Sequence, residues 1–205
     1  MRRPPVAGEH YSTPRPEAGG KRRTITATLR GREFRFVTQA GVFSRGRVDA
    51  GTRLLVAAVE VAPADRFLDL GCGYGVVGVV AAHLASKGHV LLVDVNQRAV
   101  ALARENLHLN AIRNAEARPG DGFTAVGEEH FNVIALNPPI RAGLAVVHRL
   151  IVEAEGHLAA GGCFYLVART RQGALRLAAK MRETFGSVEE VAKGGGYRVF
   201  VAPSP

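Results

Sequence analysis

With 205 residues, 47% of them hydrophobic and 22% charged, the chain is long and apolar enough to bury a full core, and its composition excludes a disordered or membranous protein. Its longest apolar run, Val76 to Ala85, is broken by His83 and too short for a bilayer, and Arg2 and Arg3 lead into no apolar secretory core. Two cysteines, Cys72 and Cys163, form neither a disulfide framework nor a paired metal-ligand spacing, so a cytoplasmic protein without membrane or metal is expected.

The net charge of +9 attracts polyanions, which makes nucleic acid the first partner to expect. An Ala-, Gly- and Val-rich chain with surplus arginine also arises from genome composition alone. Along the chain, residues 1–23 read as a basic flexible arm, with Pro4, Pro5, Pro14 and Pro16 blocking regular structure. Residues 24–205 read as one domain. Its first part, 24–60, holds two alternating runs, Thr24–Leu29 and Arg32–Val37, around Arg30-Gly31, the pattern of a β-hairpin. Asp49 then caps a helix through Val59.

Residues 61–205 switch to the βαβ period. Strands are predicted at Arg66–Leu70, His89–Val93, Ala115–Arg118, Phe131–Leu136 and Cys163–Ala168. Helices are predicted at Gly75–Ser86, Gln97–Asn110, Leu144–Leu158 and Gly173–Phe185. This alternation predicts an α/β fold, a Rossmann-like, doubly wound, mainly parallel seven-stranded sheet. Val188–Ala192 and Tyr197–Val201, joined by Gly194-Gly195-Gly196, predict an antiparallel hairpin at its C-terminal edge.

Between the first core strand and its helix stands Asp69-Leu70-Gly71-Cys72-Gly73-Tyr74-Gly75. Glycines at a strand-to-helix turn let a ligand approach the backbone at the helix N-terminus. Gly73 to Gly78 also satisfies the dinucleotide pattern G-x-G-x-x-G, and Asp94 after the second core strand suits a ribose diol in either case. Asp69, two residues ahead of the first glycine, would repel a pyrophosphate but welcome a ligand carrying a sulfonium and an α-amino group. Cys72 reads as a small packing residue within that loop.

Asn137-Pro138-Pro139-Ile140 follows the apolar strand Phe131–Leu136. Two prolines make the backbone stiff and extended and remove its N–H groups. The Asn137 side chain and the Pro138 carbonyl are thereby left to accept hydrogen bonds from an amino group. A plain rigid turn is the alternative. No H-E-x-x-H, G-x-S-x-G or P-loop offers another catalytic set.

The glycine loop resembles motif I of the class I S-adenosylmethionine-dependent methyltransferases. That resemblance implies Asp69, Gly71, Cys72 and Gly73 at the methionine end of the cofactor and Asp94 at the ribose. It also implies Asn96 beside the adenosine, and Asp121 and Gly122 at the adenine, with Asp121 accepting from its amino group. The Asn-Pro-Pro segment is similar to that of amino methyltransferases. In these enzymes Asn137, which also borders the cofactor, and Pro138, with Pro139 and Ile140 completing the motif, would orient a planar amine for in-line displacement.

The wider set, His10-Tyr11-Ser12, Gly41-Val42-Phe43-Ser44, Gly51-Thr52-Arg53-Leu54-Leu55 and Asn-Pro-Pro-Ile-Arg-Ala-Gly (137–143), resembles the small-subunit ribosomal RNA guanine-N2 methyltransferases and their single-domain relatives. By that likeness Phe43 and Ser44 close over the cofactor, and Ile140 and Arg141 meet the substrate. Those enzymes usually carry an aromatic residue where this chain has Ile140, and an extra N-terminal domain for which 205 residues leave no room. The arm residues Arg2, Arg3, Arg15, Lys21, Arg22 and Arg23 would hold RNA backbone in its place, or form a solvated leader. The function expected is methylation of an exocyclic amine, guanine N2 in ribosomal or transfer RNA, ribosomal first. The alternatives are a protein glutamine amide methyltransferase, a non-catalytic RNA-binding module and a nicotinamide-dependent oxidoreductase.

Overall fold

The computed structural model describes residues 21–39, 42, 46–138 and 143–205. Two strands open it, β1 (Arg23–Leu29) and β2 (Arg32–Thr38), paired antiparallel with Leu29 opposite Arg32. Both turn residues take positive φ, +51° at Arg30 and +77° at Gly31, the two-residue geometry whose twist matches the flanking strands. The inward side chains Ala27, Leu29, Phe34 and Phe36 are buried, so the hairpin has one apolar face and one solvated face. The expected arm, residues 1–23, lies outside the described residues up to position 20. Of the rest, Arg22 pairs with Glu105 of the core, and Arg23 already belongs to β1.

Next come α1 (Ala50–Ala58), β3 (Arg66–Leu70), α2 (Val76–Leu84), β4 (His89–Asp94), α3 (Gln97–Leu109), β5 (Ala115–Pro119) and β6 (Phe131–Leu136). The chain then runs through α4 (Leu144–Gly156), β7 (Leu158–Arg169), α5 (Ala174–Phe185), β8 (Glu189–Gly194) and β9 (Tyr197–Pro203). Strands β3 to β9 form one sheet in the order β5-β4-β3-β6-β7-β9-β8. The first five are parallel; β9 runs antiparallel between β7 and β8. The hairpin is thus at the edge as predicted, with β8 outermost and the antiparallel strand one place in.

Strands β3, β4 and β6 are apolar on both faces because both faces are covered. Phe67, Leu92, Val133 and Ala135 join the core beneath α1, α2, α3 and the N-terminal hairpin. Leu68, Leu70, Leu91, Ile134 and Leu136 join the core beneath α4 and α5. The strand order reverses direction between β3 and β6, and the crevice at that switch lies at the carboxyl ends of the parallel strands.

The largest departure from the boundaries read in the sequence lies at the start of β7. Helix α4 ends at Gly156, and β7 begins at Leu158, five residues before the expected Cys163. Leu158 pairs with Phe131 and Cys163 with Val133, with a register shift between them. Gly161 at φ +72° lets the strand bulge there, so an apolar stretch that reads as a helix end is the first part of a strand.

Candidate active site

A cavity of about 300 Å³ opens at the carboxyl ends of β3, β4, β5 and β6. Its floor is the glycine loop after β3, where Gly71, Gly73 and Gly75 all take positive φ. Gly71 and Cys72 donate their N–H groups to the Val93 carbonyl at 2.8 and 3.0 Å, which ties the loop to the end of β4. A Cβ on Gly71 or Gly73 would meet nothing within 4 Å; these glycines are required by conformation rather than by crowding.

The opposite holds at Gly78, where a Cβ would lie 2.4 Å from Leu92 Cγ. The third glycine of G-x-G-x-x-G therefore lets α2 pack directly on β4, the role it also plays in dinucleotide folds.

Asp69 is 3% exposed, and its carboxylate accepts from the Gly78 N–H at 2.8 Å. The α2 N-cap, Gly75, has no side chain to offer, so an acid from the strand serves an orphan N–H of the helix instead. Burial pushes the Asp69 carboxyl up to about 7, against the Gly78 hydrogen bond, and the Asp94 charge adds to the rise. Asp94 accepts from the Gly73 N–H and the Asn96 N–H, each at 2.8 Å. Its carboxyl is also raised by burial, opposed by those two bonds. Two buried acids at one end of a cavity favour a cationic ligand. The Cys72 thiol is pushed well above its ordinary value, first by burial and then by Asp94 and Asp69, so it stays protonated and packs rather than reacts.

Of the residues singled out in the sequence, Asp69, Gly71, Cys72, Gly73, Asp94, Asp121, Gly122, Asn137 and Pro138 all line this cavity. Asn96 does not. It is fully buried and caps α3, accepting from the Arg98 N–H at 3.0 Å, while its neighbour Val95 faces the cavity. A side chain that satisfies a helix terminus is held inward, against the expectation that it would lie beside a nucleoside. Asp121 is exposed and pairs with Arg149 of α4 at 2.8 Å. Phe43, Ser44, Pro139, Ile140 and Arg141 lie outside the described residues.

Several cavity residues carried no site role in the sequence, although Val42 lies in the Gly41–Ser44 segment of the resemblance. Val42, Val146 and Leu150 supply apolar wall, and Arg149 holds Asp121. Asp49 and Thr52, at the start of α1, reach the same cavity beside Asn137. In the sequence Asp49 is legible only as a helix cap, and Thr52 only as part of the Gly51–Leu55 segment that carries the family resemblance. Among the described residues, no group of His, Cys, Asp and Glu side chains could hold a metal ion, and no helix is long and apolar enough to cross a membrane.

The site fits S-adenosylmethionine. Its glycine floor admits a close ligand, its buried acids suit a sulfonium and an ammonium, and its apolar wall suits a purine ring. A sheet of this order with these groups at its carboxyl edge defines a class I S-adenosylmethionine-dependent methyltransferase. The chain belongs to the methyltransferase small domain family, whose model matches residues 33–201.

It is similar to the uncharacterized protein YbxB of Bacillus subtilis strain 168, 37% identical over 95% of this chain and 98% of that one. It is also similar to ribosomal RNA small subunit methyltransferase C of Pseudomonas syringae, 34% identical over 82% of this chain and 51% of that one. Among solved structures it resembles the Thermus thermophilus 16S rRNA N2 G1207 methyltransferase in complex with AdoMet and guanosine. The TM-score is 0.81 and the identity 30%, over 90% of this chain and 51% of that one. The chain thus spans nearly all of the Bacillus relative and about half the length of the ribosomal RNA enzymes.

Proposed function

We propose that this protein methylates an exocyclic amino group of RNA in the cytoplasm, guanine N2 of ribosomal RNA before transfer RNA. One observation carries the reading: Asn137 and Pro138, at the end of β6, line the same cavity as the Asp69, Gly71, Gly73 and Asp94 set. Amine-orienting acceptors and a cation-binding floor therefore share one crevice. The ribosomal RNA relatives support ribosomal RNA as the substrate, and the one solved with AdoMet and guanosine supports guanine as the base.

Bound S-adenosylmethionine supplies an electrophilic methyl group on a sulfonium. Asp69 and Asp94 supply the negative charge that holds a cationic ligand over the glycine floor. The Asn137 carbonyl and the Pro138 carbonyl accept the two N–H bonds of the amine, which turns its lone pair away from conjugation with the ring. On giving its methyl group to the nitrogen, the cofactor would leave as the neutral thioether, retaining the carbon–sulfur electron pair. Nitrogen gains positive charge, which the same two acceptors stabilise; its extra proton then leaves to water.

The test is methyl transfer from labelled S-adenosylmethionine to unmethylated small-subunit ribosomal RNA, followed by nucleoside mass spectrometry. The wild-type protein is expected to yield N2-methylguanosine, and Asn137→Ala to abolish transfer while cofactor affinity survives. Label appearing on protein and not on RNA would reject the reading.

A further inference from the structure

A line of three polar side chains runs from the start of α1 to the end of β6. The Asp49 carboxylate accepts from the Gly51 N–H at 2.9 Å and the Thr52 N–H at 3.2 Å through Oδ1, and from the Thr52 hydroxyl at 2.5 Å through Oδ2. The Thr52 oxygen in turn accepts from Asn137 Nδ2 at 3.0 Å. Thr52 is 7% exposed, and all three residues border the cavity.

We infer that Asp49 and Thr52 are positioning residues that set which way the Asn137 carboxamide faces. The inference rests on the reading of Asn137 as an amine acceptor. A hydroxyl has a single proton. Both Asp49 oxygens act here as acceptors, so that proton goes to Oδ2, and the Thr52 oxygen can then only accept. Turning the Asn137 carboxamide over would set its carbonyl against that oxygen, acceptor against acceptor. The NH2 group is therefore held on Thr52, and Oδ1 is the atom offered to a bound amine. An asparagine without this tether could present either end, and the NH2 end would repel an amino group. The same acid caps α1, so the helix that carries Thr52 is anchored by the group that polarises it.

Three substitutions separate this role from a structural one. Asp49→Asn keeps the cap, because an asparagine carbonyl serves the Gly51 and Thr52 N–H groups as well as aspartate does. Its amide nitrogen, however, replaces Oδ2 and donates to Thr52. The hydroxyl proton then turns to Asn137, whose carbonyl must accept it, leaving NH2 toward the substrate amine. Thr52→Val removes the link at nearly constant shape, and Thr52→Ser restores it.

With S-adenosylmethionine and a small-subunit ribosomal RNA transcript, Asp49→Asn and Thr52→Val are expected to lower kcat about tenfold to a hundredfold, the range for loss of one preorganised polar contact or somewhat less. Cofactor affinity by calorimetry and the thermal midpoint of Asp49→Asn should remain close to wild type, and Thr52→Ser should recover most of kcat. A second readout needs no substrate: the Asn137 side-chain amide protons, followed by 15N NMR, should exchange slowly in the wild type and rapidly in Thr52→Val. Wild-type kcat in both Asp49→Asn and Thr52→Val, beside an inactive Asn137→Ala, would overturn the positioning role alone. An Asn137→Ala variant with full activity would instead overturn the amine-acceptor reading, and unaltered amide exchange in Thr52→Val would overturn the tether itself.

Discussion

The Asn106 carboxamide completes the backbone of Val37, accepting from its N–H at 2.7 Å and donating to its carbonyl at 2.9 Å. One helical turn later, Asn110 does the same for Arg35, at 3.1 and 2.7 Å. Four helical residues rise about 6 Å and two strand residues about 6.7 Å, so two amides on α3 can stand in for a neighbouring strand along β2. Asn106 also donates to the Tyr74 carbonyl at 2.8 Å. The hairpin and the glycine loop are therefore pinned to one buried side chain.

Replacing Asn106 by Leu should accordingly be costly. It leaves the buried Tyr74 carbonyl and the half-buried N–H and carbonyl of Val37 without this partner, and about 3 kcal/mol is expected, since one buried group alone costs about 1–3 kcal/mol. Thermal unfolding should show the midpoint lowered by roughly 6–12 °C. Asn110→Ala, nearer the surface, should cost under about 1 kcal/mol. Equal effects of the two would contradict the assignment.

Gly78→Ala should destabilise although alanine is the better helix former. The added methyl meets Leu92 at 2.4 Å, and overpacking of about 1–3 kcal/mol exceeds the gain in helix propensity of about 1 kcal/mol. Shifting α2 away from β4 also pulls the Gly78 N–H from Asp69, so cofactor affinity should fall. In a double-mutant cycle with Leu92→Ala, urea titrations should show the pair more stable than the sum of the singles by at least about 1 kcal/mol. Strict additivity would place the strain elsewhere.

Asp69 makes stability and binding depend on pH in opposite senses. Its folded carboxyl sits at about 7, above the ordinary 3.8, so the folded state holds the proton more tightly than the unfolded one. The stability this contributes is fully present below 3.8 and is lost as pH rises through about 7. Asp94, shifted in the same direction, adds to that loss. A cationic cofactor favours the ionised acid, so its affinity should rise with pH up to about 7 and then level, with proton uptake by buffer below that point. Calorimetry in buffers of different ionisation enthalpy measures this directly, and Asp69→Asn should remove most of the slope. A flat wild-type profile would be incompatible with it.

Ile140 stands where the guanine-N2 enzymes usually carry an aromatic residue. A ring would add base stacking of about 1–3 kcal/mol. Ile140→Phe is therefore expected to raise kcat/KM on a guanine-containing RNA severalfold, with cofactor affinity unchanged. A drop in activity would mean that the smaller side chain is matched to a different amine.

Much of this protein is determined by stretches of neighbouring residues. Apolar runs such as Phe67-Leu68 and Val90-Leu91-Leu92-Val93 specify buried parallel strands, because both faces of each must be covered. Arg30-Gly31 specifies its turn, and Asp69 to Gly75 its ligand-admitting loop, because φ above zero and strand-to-helix reversal are local properties. Asn137-Pro138 is likewise readable as a pair of acceptors with no strand ladder to join.

What the tertiary structure alone decided are meetings between elements far apart in the chain. Thr52 reaches Asn137 over 85 positions because α1 packs on β7, β8 and β9, beside β6, and Asn106 reaches Val37 over 69 because α3 packs on β2 of the hairpin. Asn96 turned inward for the same kind of reason: a helix end needed its oxygen more than the cavity did. Spacing along a chain encodes period and turn, but the partner of a polar side chain is set by which strand ends lie side by side. At this site the glycine floor was therefore legible in advance, and the direction in which Asn137 faces was not.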